Sequence, residues 1–432
     1  MSAKTKTTAP IIFNLFPRHF KTIDEWNDAI PHIKEMGFNA VFVNPFHETG
    51  FSGSLYAVKN YYKLNPIFLK KSQDPFDFAP VRHFADLCKK NGLQLIIDLV
   101  INHTAFDSDL TKSNPQWYKY DKNGKLASPF AVDPSDPSNV TVWGDLATID
   151  NKFSTDKKNL WAYWDELIAY FQKMGILGYR CDAAYQVPGE LWEFLISSAK
   201  KRDADTKFYA ETLGCQISEI EALGNAGFDY LFNSSKWWEF DKPWALEQHA
   251  LNKKIAPSIA FPESHDTERL ASVPPATIQA QKFRYAFAAL FSEGLLMPQD
   301  YEYGAVTRMD VVRGTPDDVD KRKWDLSAWI AKINRLKTTV KALGEEGSWK
   351  TLNDFSRPFL FLQKDSDNGK NSVCVCINKN MTGETRVEKR DLPSQIRECV
   401  KAQQLIPDDL PKGDVLDGFI LDPADIILFY KE

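Results

Sequence analysis

Residues 175–184 read Gly-Ile-Leu-Gly-Tyr-Arg-Cys-Asp-Ala-Ala, an apolar, β-prone run that ends in two opposite charges, Arg180 and Asp182. Side chains alternate along a strand, so Arg180 and Asp182 share one face and Cys181 takes the other. Charges at the carboxyl end of a buried strand cost free energy unless they pair or do chemistry. A structural ion pair closing the strand explains this stretch as well as a reaction centre does. The ends of the other strands decide between the two.

Working outward, apolar runs recur at residues 11–16, 38–43, 93–100, 176–182, 207–211, 228–232, 258–261 and 294–297. Helical patterns separate most of them, at residues 23–36, 81–90, 160–173, 189–201, 217–226 and 281–291, with a last one at 326–343. Near-continuous apolar strands alternating with helices indicate a parallel sheet buried on both faces. Eight βα units close into a barrel, so the fold class is α/β, a (β/α)8 TIM barrel. The alternation breaks at 104–156, which is rich in Asp, Asn, Pro and Ser. A structureless loop of that length is disfavoured, so it reads as a subdomain inserted after the third strand. The barrel is then residues 1–103 and 157–344. Residues 345–432 carry short β-like runs at 359–362, 372–377, 415–416 and 426–430, an appended all-β sandwich.

Composition narrows the function classes. The 432 residues carry a formal net charge of −5 with no basic stripe, which argues against a nucleic-acid or anionic-membrane partner. No window approaches the ~18 apolar residues of a membrane span. The N-terminal ten residues are polar and lack the apolar stretch of a secretory signal, and the six cysteines are scattered; both features lead us to expect a cytoplasmic protein. Cys374 and Cys376 would share a strand face, which suits either a metal pair or two buried thiols; no second pair stands at ligand spacing. The sequence leaves the oligomeric state open.

In a barrel of this kind, catalytic groups collect at the carboxyl ends of strands. The third strand ends in Asp98, Asn102 and His103, the fourth in Arg180 and Asp182, the fifth in Glu211, and the seventh in Glu263, His265 and Asp266. Carboxylates converging on one mouth raise one another's pKa, a cost a fold seldom carries for stability. Glycosidic bond cleavage needs such a set. One carboxylate attacks the anomeric carbon, and a protonated second one delivers a proton to the leaving oxygen. Asp182, beside Arg180, suits the ionised nucleophile, and Glu211 suits the proton donor.

Four segments carry a resemblance. Asp98-Leu99-Val100-Ile101-Asn102-His103, Gly178-Tyr179-Arg180-Cys181-Asp182-Ala183-Ala184, Tyr209-Ala210-Glu211 and Phe261-Pro262-Glu263-Ser264-His265-Asp266 stand in order. Together they resemble the strand-end motifs of the α-amylase family of retaining glycoside hydrolases and transglycosylases, over nearly the whole chain. The resemblance implies Asp182 as nucleophile, Glu211 as acid/base and Asp266 as stabiliser of the transition state. It implies His103, Arg180 and His265 as sugar-holding residues, Tyr56 in Leu55-Tyr56-Ala57 as the ring under the sugar, and Arg269 as a further binding residue. Tyr56 also fits plain core, and Asp98 a tie across the barrel rim.

Departures from the family pattern carry information too. Members commonly have Asp after the stacking tyrosine, where Ala57 stands here. Many have Lys and His three and four residues past the nucleophile; Tyr185 and Gln186 stand here, so acceptor recognition must differ. The family's structural calcium uses an Asn such as Asn102 and an acidic residue in the inserted subdomain. In Leu146-Ala147-Thr148-Ile149-Asp150 that position is Thr148. Asn102 alone is one clear oxygen ligand, short of the six to eight that calcium takes, so no cofactor is expected. The implied activity is hydrolysis of α-1,4-glucans or maltooligosaccharides. Its alternatives are a maltosyltransferase-like transfer with the same residues and, more remotely, a non-catalytic barrel that binds. An oligosaccharide or polysaccharide is the expected partner.

Overall fold

The computed structural model describes residues 9–132, 136, 138–397, 401–406 and 415–430. The first eight residues and Cys399 lie outside them. Eight strands close a fully parallel barrel: β1 (Ile11–Leu15), β2 (Ala40–Val43), β3 (Gln94–Leu99), β4 (Gly178–Cys181), β5 (Lys207–Glu211), β6 (Tyr230–Phe232), β7 (Ser258–Ala260) and β8 (Gly294–Pro298). Each pairs with its sequence neighbours, and β8 returns to β1. The helices between and after these strands are α1 (Ile30–Glu35), α2 (Ala79–Lys90), α3 (Lys157–Gln172), α4 (Gly189–Arg202), α5 (Ile217–Glu221), α6 (Pro243–Asn252), α7 (Ile278–Phe291) and α8 (Ser327–Thr339), with short helices at Asp109–Ser113 in the insertion and Ser394–Arg397 in the C-terminal module.

Two apolar layers explain why the strands read as unbroken runs. Ile12, Phe42, Ile96, Tyr209, Phe232, Ile259 and Leu296 fill the barrel, while alternate residues such as Val41, Ile97, Tyr179 and Leu295 pack outward. In β4 the register sets Gly178 against Ile96, where a Cβ would lie 2.7 Å from the Ile96 side chain and 2.8 Å from the Leu95 carbonyl oxygen. Glycine is therefore what brings Arg180 level with Asp98.

Several boundaries differ from the sequence pattern for local reasons. Residues 23–29 wind as a 3-10 helix before α1, because Pro31 in the first turn of α1 has no N–H for the carbonyl four residues back. The aromatic segment after β2 is a hairpin, His47–Thr49 with Val58–Leu64. The helix expected over 217–226 stops at Glu221. Residues 104–156 fold over the end of β3 with two short antiparallel pairs, one joining His103–Ala105 to Leu146–Thr148 and the other Phe130–Val132 to Val140–Val142.

The C-terminal module is β9 (Ser348–Thr351), β10 (Phe359–Asp365), β11 (Ser372–Asn378), β12 (Thr385–Glu388), β13 (Lys401–Ile406), β14 (Gly418–Leu421) and β15 (Ile426–Tyr430). A five-stranded sheet, β9-β10-β11-β15-β13, lies beside a two-stranded one, β12-β14. Val415 and Leu416, expected in a strand, sit in a turn before Gly418, whose φ of +111° only glycine adopts readily. One face of the large sheet, including Phe361, Cys374 and Cys376, packs on β12 and β14. The other, including Leu362, Val375 and Leu428, is continuous with the apolar shell of the barrel. Beneath it, buried Lys337 donates to the carbonyls of Ala289, Ser292 and Leu343 at 2.8, 2.6 and 3.0 Å. Among the described residues no helix is long and apolar enough to cross a membrane.

Candidate active site

The polar strand ends meet at the carboxyl mouth of the barrel. The hub is Arg180, buried at the end of β4, whose Nη1 donates to both oxygens of Asp98 at 2.9 and 2.8 Å and to Asp182 Oδ1 at 2.9 Å. Its Nη2 lies 3.9 Å from Asp266 Oδ2, so one guanidinium faces three carboxylates. The ring of Phe42 lies under it, 5.7 Å away. Burial pushes the Asp98 carboxyl upward, and Arg180 and the Tyr56 hydroxyl hold it back. Asp98 thereby anchors Arg180, which in turn fixes Asp182.

Tyr56 joins the set from the hairpin. Its hydroxyl donates to Asp98 Oδ2 at 2.7 Å and accepts from Asn44 Nδ2 at 3.0 Å. With its one proton spent, it accepts from His265 Nε2 at 2.6 Å, so that imidazole carries its proton on Nε2. The two rings are stacked, 5.6 Å between centroids and 3° between planes. Burial lowers His265 to about 4, which keeps it neutral. His103 is also buried and lowered; its Nε2 is 3.9 Å from Asp182 Oδ2, and neither ring nitrogen makes a well-formed hydrogen bond. Two neutral imidazoles thus flank the carboxylates, one with hydrogen-bonding capacity to spare. Asp266 is the open member of the cluster, with 48 % of its side chain accessible.

Glu211, at the end of β5, sits differently. Oε2 accepts from the Ala183 N–H at 3.0 Å and Oε1 from the Leu213 N–H at 2.7 Å. Among the described residues no cation pairs with its side chain directly. Burial first, and then the charges of Asp182 and Asp266, push its carboxyl up to about 7, against the pull of Arg180. Ala183 donates from a left-handed backbone, φ +42°, a conformation that costs a non-glycine residue about 1–3 kcal/mol and is typical of functional sites. That twist aims the N–H following Asp182 at Glu211, linking the two carboxylates through one residue.

Arg269 is not brought to this cluster. It is fully buried, and its Nη1 donates to Glu263 Oε1 and the Gln299 carbonyl, both at 2.9 Å, while Nε donates to Thr307. It holds the loops after β7 and β8 together. Asn102 donates to Gln186 Oε1 at 2.9 Å, and Gln186 donates on to the Phe130 carbonyl at 3.1 Å. This bridge joins the loop after β4 to the inserted subdomain. Thr148, paired with His103, offers a hydroxyl and no charge, and among the described residues no three acidic, His or Cys side chains gather as a metal site. The residues present do not fit a family-type calcium site. A chelator is therefore expected to leave Tm unchanged in a thermal melt; a drop of several degrees would reveal a bound cation.

Sequence inspection missed Asn14 and Asn44. Asn14 Nδ2 donates to Asn44 Oδ1 at 2.8 Å, and Asn44 reaches Tyr56. The available signal was a lone amide inside the first apolar run and another directly after the second. It also missed Arg308, which donates to the Asp266 carbonyl at 2.8 Å from a distant loop.

Comparison with known proteins agrees with this geometry. Residues 7–134 match the family model described as glycogen debranching enzyme, glucanotransferase domain. An α-1,4-glucan:maltose-1-phosphate maltosyltransferase from Burkholderia pseudomallei is 26 % identical over 296 residues, 66 % of this chain and 25 % of that protein. A cyclomaltodextrinase from a Bacillus species is 22 % identical over 83 % of this chain and 65 % of its own. The crystal structure of an α-amylase from Lactobacillus plantarum superposes with a TM-score of 0.76 at 19 % identity, covering 98 % of this chain and 99 % of that one. The chain spans from a quarter to about two thirds of the length of the curated relatives named here. The chain thus shares the barrel and the β-rich C-terminal module of α-amylases, and in sequence it is similar to glycoside hydrolases and transglycosylases of the α-amylase type.

Proposed function

We propose that this protein cleaves α-1,4-linked glucans or maltooligosaccharides with retention of configuration. Asp182 attacks the anomeric carbon while Glu211 protonates the departing oxygen; the bond from sugar to Asp182 forms as the glycosidic bond breaks. Glu211, now ionised, takes a proton from the incoming hydroxyl, which displaces Asp182 and restores the carboxylate. Asp266 faces the developing positive charge, and His103 and His265 hold the sugar over Tyr56. The observation that carries this reading is the contrast between two carboxyl groups: Asp182 accepts from the Arg180 guanidinium, whereas Glu211, among the described residues, accepts from the backbone N–H groups of Ala183 and Leu213. The first faces a guanidinium, and the second, pushed up to about 7 chiefly by burial, keeps a proton available to give.

Product analysis from maltoheptaose, following size distribution and anomeric configuration with and without added acceptor, tests the reading. Retained α-configuration at first release supports it, and inverted product overturns it. Transfer to a sugar hydroxyl is the second reading, favoured by Tyr185 and Gln186 on the acceptor side and by the maltosyltransferase relatives; new longer products with added acceptor would select it.

The acidity of Glu211 gives a pH prediction. Cleavage needs its protonated form, which is lost as pH rises through about 7. The kcat/KM for maltooligosaccharides is expected to fall tenfold per pH unit on the alkaline side of that value. A profile flat to pH 9 would remove Glu211 as the proton donor.

A further inference from the structure

The turn that carries Asp266 is fastened at its base and at its crest. At the base, buried Glu263 and Arg269 pair, Oε1 to Nη1 at 2.9 Å, and Glu263 Oε2 accepts from the Leu270 N–H at 2.5 Å, which closes residues 263–270 into a loop. Inside it, the Asp266 N–H donates to Ser264 Oγ and the Thr267 N–H to the Ser264 carbonyl, both at 3.2 Å. Because β7 lies between β6 and β8 in the barrel, the loops of both neighbours reach the crest. Arg308, after β8, donates from Nη2 to the Asp266 carbonyl at 2.8 Å and from Nη1 to Glu268 Oε1 at 3.5 Å. Lys236, after β6, donates to the Glu268 carbonyl at 2.9 Å. The root of the Arg308 side chain is itself fixed. Thr307 donates from N and Oγ1 to Asp320 at 2.7 and 2.8 Å, its carbonyl accepts from Arg269 Nε at 3.1 Å, and Met309 is buried.

The Asp266 carboxylate needs such control from outside, because its own contacts hold it loosely. Arg180 Nη2, at 3.9 Å, is beyond hydrogen-bond distance, and the proton of His265 Nε2 is directed at the Tyr56 hydroxyl. The place of the carboxylate therefore follows the place of its backbone. We infer that Arg308 is a positioning residue for Asp266: by gripping the Asp266 carbonyl and the Glu268 carboxylate together, it sets where the Asp266 side chain stands over the reaction centre. This rests on the glucan-cleaving reading above, in which Asp266 faces the positive charge that develops on the sugar. A guanidinium suits the task, since its planar fork reaches two acceptors in fixed directions, which the point charge of an ammonium does not. Lys236 holds the neighbouring carbonyl from the opposite wall, so the turn is gripped from two sides.

A double-mutant cycle on the full chain tests this. For the wild type, Arg308→Ala, Asp266→Asn and the double variant, kcat and KM are measured with 4-nitrophenyl α-maltoside, whose good leaving group keeps slow variants measurable. Arg308→Ala alone is expected to lower kcat about 30-fold with KM within about twofold, since a misplacement of about 1 Å can cost up to about 10²-fold. In the Asp266→Asn protein the same change should cost less than about threefold, because the carboxylate that Arg308 places is already gone. An equal loss in both backgrounds overturns the inference. So does an unchanged kcat, or an effect confined to KM, which would make Arg308 a contact for the sugar. The Arg308 side chain is 54 % accessible, so the variant should fold, and an unaltered Tm confirms it. If the wild-type protein cleaves neither this maltoside nor maltoheptaose, the glucan-cleaving reading fails by itself. The grip is then judged by amide hydrogen exchange over residues 264–268: faster exchange in Arg308→Ala supports it, and unchanged exchange overturns it.

Discussion

Asp182→Asn is expected to abolish turnover of soluble starch and maltooligosaccharides, by at least about 10⁴-fold in kcat, the order seen when a residue acting as a unit with its partners is removed. The amide is isosteric and still accepts from Arg180, whose Nη1 lies 2.9 Å from the present carboxylate. What disappears is the negative charge that forms the covalent bond. Arg180 keeps Asp98 as a bidentate partner, so the folded state loses one charge-assisted hydrogen bond, worth roughly 1.5–3 kcal/mol. A circular-dichroism melt beside the activity assay separates the two effects. Residual turnover within tenfold of wild type, with the fold intact, removes Asp182 as nucleophile.

Glu211→Gln acts on a different step and is expected to discriminate between substrates. Natural glucans have poor leaving groups and need the proton, so their rate falls by about 10²–10⁴-fold. A maltoside with a nitrophenyl leaving group departs without that help and is spared in the first step, so the covalent intermediate accumulates when water or sugar must next be activated. The signature is a burst of nitrophenol followed by slow turnover, read in a stopped-flow trace. The alkaline limb near pH 7 should vanish with it. The substitution also has a local cost. Both Glu211 oxygens accept from backbone N–H groups of Ala183 and Leu213, and an amide can replace only one of them as acceptor. Equal losses on both substrates would point to that distortion and away from proton donation.

How far these groups could be read from the chain depends on what sets each position. Strands buried on both faces must be apolar throughout, so the charges that end them stand out, and Asp98, Arg180, Asp182, Glu211, His265 and Asp266 were all legible for that reason. Asn14 stands inside the first apolar run and Asn44 just after the second, but a neutral amide is cheaper to bury than a charge and gave no comparable contrast. Arg269 carried the opposite problem: its type and place suggested a ligand, while its guanidinium is taken by Glu263 and two backbone carbonyls, which only the packed loops after β7 and β8 reveal. Ala183 could not have been found. Left-handed backbone is ordinarily foreshadowed by glycine or asparagine, and here alanine is held there by the surrounding turn. The role of Gln186 as a tie depends on where the inserted subdomain lands, which a chain without regular periodicity does not foretell. Residues 415–416 failed as a strand because two apolar neighbours are too little to outweigh the turn formed ahead of Gly418.

The large C-terminal sheet turns one whole side toward the helices around the barrel, with Trp349 stacked on Phe291 of α7 at 5.5 Å and Lys364 donating to the Leu290 carbonyl at 3.1 Å. Ending the polypeptide after Gly344 would unroof α7 and α8 and leave Lys337 without the wall that shields it. Such a shortened enzyme should aggregate on expression instead of working as a minimal catalyst. For the intact chain, calorimetry should record one endotherm, since the inner face of the sheet and the barrel helices share one continuous apolar core.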